Sequence, residues 1–364
     1  MKILFFSNVA LNLSLFRLPI MAALKADGNE IVALAADDGR SASLVSGGFR
    51  FCPIKLDRKG WRVLSEYASY AAFLKKEKPD LVLCFTPKPA LFGSFARIFF
   101  PYKTVCFITG LGYAFLKRSL FTLIVRLAFR VSLPHADRVI FQNQDDLDLF
   151  VSAKLVPAPK TGLIRSSGVD TDYFLPRQQP ERSPGSVVFL YVGRLLWDKG
   201  VGEFVEAAEK VLKIRPEAAF HIIGWYDPGN PSAVPEEFIR RKEKDGIVKY
   251  LGMLEDIRPL IAESDVVVLP SYREGTPRSL LEAASMARPV ITTDVPGCRE
   301  VVRDGATGLL VRSKDSDALV RAMVWMLDHR DERARMGRAG REFMIARFDV
   351  KQVVAKYLDI VKSI

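Results

Sequence analysis

The chain has 364 residues, more than one hydrophobic core normally holds, and so predicts two domains. Hydrophobic residues make up 49% and charged residues 26%, a composition that excludes a disordered or fibrous chain. No stretch reaches about 18 uninterrupted apolar residues, so we expect no transmembrane helix. The apolar run after Lys2 stops at Ser7, which argues against a signal peptide. The four cysteines lack metal-binding spacing and predict free thiols in the cytoplasm.

The net charge of +11 lies in the first part of the chain. Residues 1–168 hold 23 Lys and Arg against 12 Asp and Glu, whereas the remainder is balanced. Between Asp80 and Asp137 the sequence has no acidic residue, and we name these positions the acid-free tract. Its basic residues are Lys88, Arg97, Lys103, Lys117, Arg118, Arg126 and Arg130. This half is expected to meet a negatively charged partner.

Apolar runs of strand length alternate with longer helical patterns along the chain. Strands are predicted in the first half at 3–7, 30–35, 50–55, 81–85, 104–108, 138–142 and 161–165. In the second half they are predicted at 187–192, 219–223, 249–251, 266–269, 290–293 and 308–311, with helices at 16–25, 202–215 and 315–327 among those between strands. Such alternation predicts an α/β protein with two doubly wound parallel sheets.

A polar segment rich in proline and glycine, residues 177–185, separates the halves. We therefore predict an N-terminal domain over 1–170 and a C-terminal domain over 171–349. In such sheets, ligands bind beyond the carboxyl ends of the strands.

The turn after the first strand, residues 7–17, contains no glycine. It is therefore no dinucleotide fingerprint, which argues against NAD. Asn8, Asn12 and Arg17 are candidates to contact an acceptor substrate at this strand end. Alternatively, the two asparagines cap the following helix.

A second constellation follows the first strand of the second half, in Tyr191-Val-Gly-Arg-Leu-Leu-Trp-Asp-Lys-Gly200. Arg194 and Lys199 can converge on one diphosphate, because the arginine fork clamps two oxygens and the lysine adds a compact charge. Gly193 and Gly200 let the backbone approach the ligand. The alternative is a pair of solvated surface cations.

The stretch Ser271 to Pro289 predicts a loop and a helix after a buried strand. Thr276 is the expected N-cap, Pro277 the first helical residue and Pro289 the stop. The N-terminus of the helix suits an anion, and Glu274 and Glu282 suit hydroxyl groups, which together suggest a phosphorylated sugar. Donor contacts are predicted at Glu274, Gly275, Thr276, Pro277, Arg278, Ser279, Leu280 and Glu282.

The spacing of Glu274 and Glu282 resembles the E-x7-E signature of family 4 glycosyltransferases, and REGTPRSLLEA is similar to the branch that builds bacterial surface polysaccharides and lipid-linked glycans. Within it, the chain resembles undecaprenyl-diphosphate-sugar N-acetylgalactosaminyltransferases. The G-R…K-G pattern and the phrase GVDTDYFLP, residues 168–176, fit the same family. The resemblance implies the GT-B fold of two Rossmann-like domains, with residues 350–364 as a helix packed back on the first.

The resemblance also implies roles for single residues. Arg194 and Lys199 would stabilise the leaving nucleotide diphosphate, with Glu274 as a further catalytic residue. Gly224, Gly252 and Met253 would hold the base. Relatives often carry histidine where Thr109 and Gly110 stand here, so no histidine base is assigned and these two join the acceptor site. No Asp-x-Asp motif is placed to hold a diphosphate, which predicts transfer without metal or cofactor.

The acid-free tract predicts a membrane-facing surface. On a helix over 116–131, Arg118, Thr122, Arg126 and Arg130 form a polar stripe beside Leu116, Leu120, Leu123, Leu127 and Val131. We expect docking on the anionic inner face of the cell membrane. The predicted contacts are Phe92, Phe95, Phe99, Lys103, Lys117 and Arg118. The alternative is an ordinary helix covering the sheet.

These patterns favour a retaining, metal-independent glycosyltransferase that moves a hexose or N-acetylhexosamine, with N-acetylgalactosamine favoured. The donor would be a UDP-sugar and the acceptor a polyprenyl-diphosphate-linked saccharide. One alternative is a nucleotide-sugar epimerase on the same fold. Another is a basic protein that binds nucleic acid or an anionic polymer, which leaves Glu274 and Glu282 unexplained.

Overall fold

The structure is a computed structural model that describes residues 1–57, 62–110, 120–178 and 185–364. It divides into two compact units. Unit 1 comprises Met1–Ser167 and Val350–Ile364, and unit 2 comprises Gly168–Asp349. Each unit is built on one parallel sheet, as predicted from the alternation of strand and helix patterns.

The sheet of unit 1 has seven strands in the order β3-β2-β1-β4-β5-β6-β7. They are β1 Lys2–Val9, β2 Glu30–Ala36, β3 Arg50–Pro53, β4 Leu81–Phe85, β5 Lys103–Ile108, β6 Arg138–Phe141 and β7 Thr161–Leu163. Successive residues of β1 enter separate cores, Leu4 and Phe6 on one face and Ile3 and Phe5 on the other. Burial on both faces explains why the strands are continuous apolar runs.

Helices cover both faces of this sheet. They are α1 Ala10–Phe16, α2 Leu18–Ala26, α3 Ser41–Ser46, α4 Val63–Glu77, α5 Pro87–Ala96, α6 Leu120–Ser132, α7 Gln144–Ser152 and the C-terminal α14 Val350–Lys362. Helix α14 buries Val353, Tyr357 and Val361, one residue per turn, in the same core as Ile3 and Phe5. The last helix of the chain is thus part of unit 1.

Unit 2 holds a six-stranded sheet in the order β10-β9-β8-β11-β12-β13. Its strands are β8 Val187–Val192, β9 Ala218–Ile223, β10 Lys249–Tyr250, β11 Val266–Leu269, β12 Val290–Thr293 and β13 Gly308–Val311. Its helices are α8 Val201–Leu212, α9 Glu236–Lys244, α10 Arg258–Glu263, α11 Arg278–Ser285, α12 Ser316–Asp328 and α13 Arg330–Arg347. One apolar core joins both faces of the sheet to these helices.

The segment after β1 differs from the prediction. Residues 7–17 were expected as a turn before a helix at 16–25, but α1 already occupies Ala10–Phe16. Pro19 lies in the first turn of α2 and lacks the N–H that a continuous helix would require, so a new helix begins at Leu18. Asn12 therefore lies inside α1, and the N-cap is Val9, so neither predicted asparagine caps this helix.

Candidate active site

Three adjacent strands of unit 2 end in glycines at the carboxyl edge of the sheet. Gly193 follows β8, Gly224 follows β9, and Gly252 lies two residues after β10. The Gly224 amide donates to Gly252 O at 3.0 Å, and a Cβ on Gly224 would lie 1.9 Å from Gly193 O. Only glycine permits this approach, so the edge presents bare backbone. Met253, 48% exposed, follows directly.

The loop that carries Arg194 and Lys199 is fastened at both ends by a buried tyrosine. The Tyr191 hydroxyl donates to Arg194 O at 3.0 Å and lies 3.4 Å from Lys199 O. Burial raises the pKa of Tyr191 well above its usual value, so the group stays a protonated donor. Arg194 Nη1 lies 3.4 Å from Asp227 Oδ2, a partner that sequence spacing could not reveal.

Lys199 Nζ and Glu274 Oε1 lie 2.6 Å apart. The structure therefore joins two predicted site residues that are 75 positions apart in the sequence. Gly200, at φ +74°, makes the contact possible, because a Cβ there would lie 2.1 Å from Pro270 O at the end of β11. The lysine and glutamate side chains are 16% and 14% exposed, which leaves the pair partly desolvated.

The loop of Glu274 rests on the segment after β12. The Glu274 amide donates to Pro296 O at 3.1 Å. Gly297, at φ +81°, comes so close that a Cβ would lie 2.4 Å from both Glu274 O and Gly275 O. Gly297 is thus a supporting residue of this loop, and its signal in the sequence is a Pro-Gly pair after a strand.

Helix α11 begins and ends differently from the prediction. Its N-cap is Pro277, whose extended backbone (ψ 114°) keeps it outside the helix, so Thr276 is not the N-cap; the Thr276 hydroxyl donates to Gly275 O. The helix ends at Ser285, well before Pro289, because Ala287 turns to φ +57°. The predicted contact Leu280 is fully buried, so its side chain anchors α11 in the core.

Glu282 lies one turn into α11 and is 7% exposed. Its Oε1 is 2.6 Å from Arg278 Nε. Burial raises the pKa of the Glu282 carboxyl, and the arginine opposes that shift. Ser279, which lies between Arg278 and Glu282 in the sequence, is half-buried. The predicted donor residues thus form two ion pairs, Lys199 with Glu274 and Arg278 with Glu282.

The predicted acceptor residues of unit 1 lie at the carboxyl edge of its sheet, with one exception. Asn8 is the last residue but one of β1, and Thr109 and Gly110 follow β5. Arg17 is only 1% exposed, and its Nη1 lies 3.0 Å from Ser167 Oγ and 3.2 Å from the hydroxyl of Tyr357 on α14. Arg17 therefore supports this edge from inside the unit.

The structure separates the predicted membrane residues. Phe92 is 5% exposed, packed against Tyr67 and Tyr70, so its predicted membrane contact is wrong. The cause is that α5 turns Phe92 toward α4, whereas Phe99 remains 64% exposed. Lys103 lies 3.5 Å from Asp137.

Two more predicted membrane residues, Lys117 and Arg118, lie outside the described residues, as does Leu116. Phe95 is half-buried between Tyr67 and Phe99.

The apolar face of α6 is open to solvent. Its exposed side chains are Leu120 at 75%, Leu123 at 64%, Ile124 at 51%, Leu127 at 61% and Val131 at 52%. We name these five residues the α6 stripe. Phe129 turns to the core instead. Helix α6 thus packs on the core through another face, and the α6 stripe does not take part in that packing.

Within the described ranges, no group of three His, Cys, Asp or Glu residues is arranged to hold a metal ion. In the same ranges, no helix has the length and apolar character required to cross a membrane.

Two family models match the chain. Residues 2–143 match the glycosyl transferase 4-like family and residues 186–329 match glycosyl transferases group 1. One relative is N,N'-diacetylbacillosaminyl-diphospho-undecaprenol alpha-1,3-N-acetylgalactosaminyltransferase of Campylobacter jejuni, 27% identical over 99% of this chain and 98% of its own length. Another is UDP-Gal:alpha-D-GlcNAc-diphosphoundecaprenol alpha-1,3-galactosyltransferase of Escherichia coli, 29% identical over 70% of this chain and 68% of its own length.

Solved structures share the fold at lower identity. Anabaena HepE in complex with UDP and glucose has a TM-score of 0.82 at 20% identity and covers 100% of both chains. Sucrose-phosphate synthase from Thermosynechococcus elongatus also has a TM-score of 0.82, at 19% identity, over 100% of this chain and 98% of its own. The predicted fold and family are thus confirmed. The chain belongs to the GT-B glycosyltransferases of group 1, family 4.

Proposed function

We propose that this enzyme moves a hexose or N-acetylhexosamine, with N-acetylgalactosamine favoured, from a UDP-sugar to a saccharide on a polyprenyl diphosphate. The configuration is retained and no metal ion takes part. The observation that carries the proposal is the Lys199–Glu274 pair, 2.6 Å apart on two loops of the second sheet's carboxyl edge. It combines a cation suited to a diphosphate with a carboxylate suited to sugar hydroxyls.

The diphosphate of the donor is assigned to Arg194 and Lys199. The Arg194 side chain is 37% exposed and makes a long contact of 3.4 Å with Asp227, so its fork can turn to phosphate oxygens. Lys199 exchanges the carboxylate of Glu274 for a phosphate oxygen. Two fixed cations then offset the charge that develops on the leaving UDP, which is the ground for proposing a metal-independent reaction.

Transfer forms a bond between an acceptor hydroxyl oxygen and the anomeric carbon and breaks the bond from that carbon to UDP. When both events occur on one face, the leaving phosphate oxygen takes the proton of the acceptor, so no side-chain base is required. Glu274, released by Lys199, accepts hydrogen bonds from the hydroxyls of the donor sugar. Glu282, held by Arg278 at 2.6 Å, presents a second carboxylate beside the first turn of α11.

The names of the relatives support the finer parts of this proposal. Both name a diphosphate-linked undecaprenol acceptor and an alpha-1,3 linkage, and the Campylobacter jejuni protein is named for N-acetylgalactosamine. An α-linked product from an α-linked nucleotide sugar corresponds to retention. The bare backbone at Gly193, Gly224 and Gly252 suits a flat uracil ring, which supports UDP as the carrier.

A polyprenyl-linked acceptor resides in a membrane, so we propose that unit 1 docks on the anionic inner face of the cell membrane. The α6 stripe is 51–75% exposed, and Arg126 and Arg130 are exposed on the same helix. Phe99 on the segment after α5 adds an aromatic ring, 64% exposed. Leucines would enter the acyl boundary while the arginines meet anionic headgroups.

The test supplies the enzyme with vesicles that carry a polyprenyl-diphosphate-linked monosaccharide and with single UDP-sugars, in excess EDTA. We expect one UDP-N-acetylhexosamine or UDP-hexose to yield a product that NMR shows to be α-linked. An inverted product, or a strict need for Mg²⁺ or Mn²⁺, would contradict the mechanism. Consumption of the UDP-sugar without any need for the acceptor would instead favour the epimerase.

A further inference from the structure

Tyr272 lies on the loop between β11 and α11, two residues before Glu274. Its amide donates to Asp198 O at 2.9 Å, and the Ser271 hydroxyl donates to the same carbonyl oxygen at 3.2 Å. Asp198 directly precedes Lys199 in the loop after β8. The backbone of the Glu274 loop is therefore fastened to the backbone of the Lys199 loop close to both functional side chains.

The side chain of Tyr272 makes a second link, to helix α8. Its hydroxyl donates to Glu203 Oε1, and α8 begins at Val201, two residues after Lys199. Burial raises the pKa of the Tyr272 hydroxyl and the bound Glu203 carboxylate raises it further, so the hydroxyl remains a protonated donor. The segment that contains Lys199 is thus held by Tyr272 on both sides, at Asp198 and at Glu203.

A cavity of about 330 Å³ lies beside this second link. Tyr272 and Glu203 line it together with Trp197, Phe238, Glu209 and Lys242. Side chains that border a cavity have fewer packing contacts than those in a close-packed core. Lys314 Nζ lies 4.8 Å from the centre of the Tyr272 ring, but this lysine is exposed, so the contact adds little. The hydrogen bond to Glu203 is therefore the contact that directs the Tyr272 side chain.

The links made by Tyr272 become important when the donor binds. In the proposed reaction Lys199 exchanges the Glu274 carboxylate, 2.6 Å away, for a phosphate oxygen. That exchange removes the direct side-chain contact between the two loops. The Tyr272 links use neither the Lys199 ammonium nor the Glu274 carboxylate, so they remain when the ion pair opens. They can then hold the cation at the diphosphate and the carboxylate at the sugar at a fixed separation.

We propose that Tyr272 is a positioning residue that, through its hydrogen bond to Glu203, keeps the Lys199 and Glu274 loops in place while the donor diphosphate separates their ion pair. The inference rests on the proposed glycosyl transfer. In the free enzyme the ion pair itself helps to hold the loops together. In the transition state the two side chains act on different parts of the donor, so the link through Tyr272 contributes more there than in the free enzyme.

The test measures steady-state kinetics of Tyr272→Phe, Glu203→Ala and Glu203→Gln in the full-length enzyme with saturating vesicle-borne acceptor. Phenylalanine keeps the ring and loses only the hydroxyl, so kcat should fall about tenfold while the KM of the UDP-sugar changes by less than about twofold. Glu203→Ala should lower kcat to the same extent. Glutamine keeps an oxygen that accepts the hydrogen bond, so Glu203→Gln should restore kcat to within about threefold of wild type.

The double variant Tyr272→Phe/Glu203→Ala distinguishes one shared link from two independent defects. Each single variant already breaks the same hydrogen bond, so the double variant should lose about tenfold in kcat, whereas independent effects would multiply to about 100-fold. Multiplied losses, or wild-type kcat in both single variants, would overturn the proposal. If Tyr272→Phe fails to fold, Glu203→Ala is compared with Glu203→Gln, and equal kcat in these two would overturn it as well.

Glu209→Ala is the matched control. Glu209 lies on the same helix and lines the same cavity, but its partner is Lys242 on α9. This variant should lower Tm without changing kcat, because the lost pair holds α9 and not the Glu274 loop. A fall in kcat as large as that of Glu203→Ala would show that loosening α8 in general slows the reaction, which would contradict a positioning role for Tyr272.

The two levels of failure remain distinguishable. Absence of transfer by the wild-type enzyme from any UDP-sugar would count against the proposed function itself. Normal transfer by wild type with unchanged kcat in Tyr272→Phe and Glu203→Ala would reject only the positioning role.

Discussion

The two sheets of this enzyme present carboxyl edges of opposite chemistry. In unit 2 the edge carries glycines and two close ion pairs, Lys199 with Glu274 and Arg278 with Glu282. In unit 1 the edge carries neutral oxygens without described partners and a strained Thr86. A diphosphate can be bound by two cations on one short loop, so such a site can be recognised as a motif in the sequence. Neutral oxygens contributed by single residues of separate elements leave no such motif.

The largest effect is expected from Lys199→Ala. Loss of the cation at the diphosphate should reduce kcat/KM by about 100-fold to 1,000-fold, about 3–4 kcal/mol of transition-state stabilisation. Steady-state kinetics at saturating acceptor measure this. Lys210→Ala is the control, because Lys210 pairs with Glu206 and Asp317 on the surface of the same unit and should change the rate little. Near-normal turnover by Lys199→Ala would show that Lys199 does not stabilise the diphosphate.

The next effect concerns unit 1 alone. In Leu123→Ser/Leu127→Ser the α6 stripe loses two exposed leucines, each worth about 1 kcal/mol or more when inserted into lipid. Flotation with anionic vesicles should therefore show roughly 30-fold weaker binding. Leu64→Ser is the control, since Leu64 is 87% exposed on α4, outside the stripe. Equal vesicle binding by all three proteins would show that the stripe does not face the membrane.

Gly224→Ala should weaken binding of the UDP-sugar alone, because Gly224 lies at the carboxyl edge of the unit 2 sheet. Its Cβ would lie 1.9 Å from Gly193 O, so the backbone before Arg194 must move. We expect the KM of the UDP-sugar to rise about tenfold, because small displacements of binding groups are costly, while the acceptor KM stays unchanged. Gly340→Ala, where the nearest atom would lie at 3.6 Å, is the control. A parallel rise of both KM values would mean that the two edges are not independent.

The smallest effect is a change in how stability depends on pH. Burial raises the pKa of Glu282 in the folded state, so this group favours folding at low pH and loses that contribution as pH rises through the folded pKa. Glutamine does not ionise, so the free energy of unfolding of Glu282→Gln should fall less than that of wild type as pH rises above about 4, the unfolded pKa of a glutamate. Urea unfolding at several pH values measures the difference.

Glu206 supplies a control of opposite sign. Hydrogen bonds from Lys210 and Ser316 lower the pKa of Glu206, so its contribution to folding is present above the unfolded pKa and is lost as pH falls. Glu206→Gln should therefore lose stability relative to wild type mainly at neutral pH. The same pH dependence in both variants would contradict the assigned direction for Glu282.

The sequence by itself determined the two parallel sheets and singled out the charged residues that we propose for the donor site. Burial on both faces makes parallel strands continuous apolar runs, and Arg194, Lys199, Glu274 and Glu282 occupy short loops at strand ends. Such features are local in the chain and carry their own pattern.

Tertiary structure decided what depends on distant partners. It turned Phe92 into the core against α4, left the α6 stripe exposed and buried Arg17 beside Tyr357. It also joined Asp227 to Arg194. An amphipathic or aromatic pattern predicts that a side chain has an apolar environment. Only the packing of the remaining elements decides whether that environment lies inside the protein.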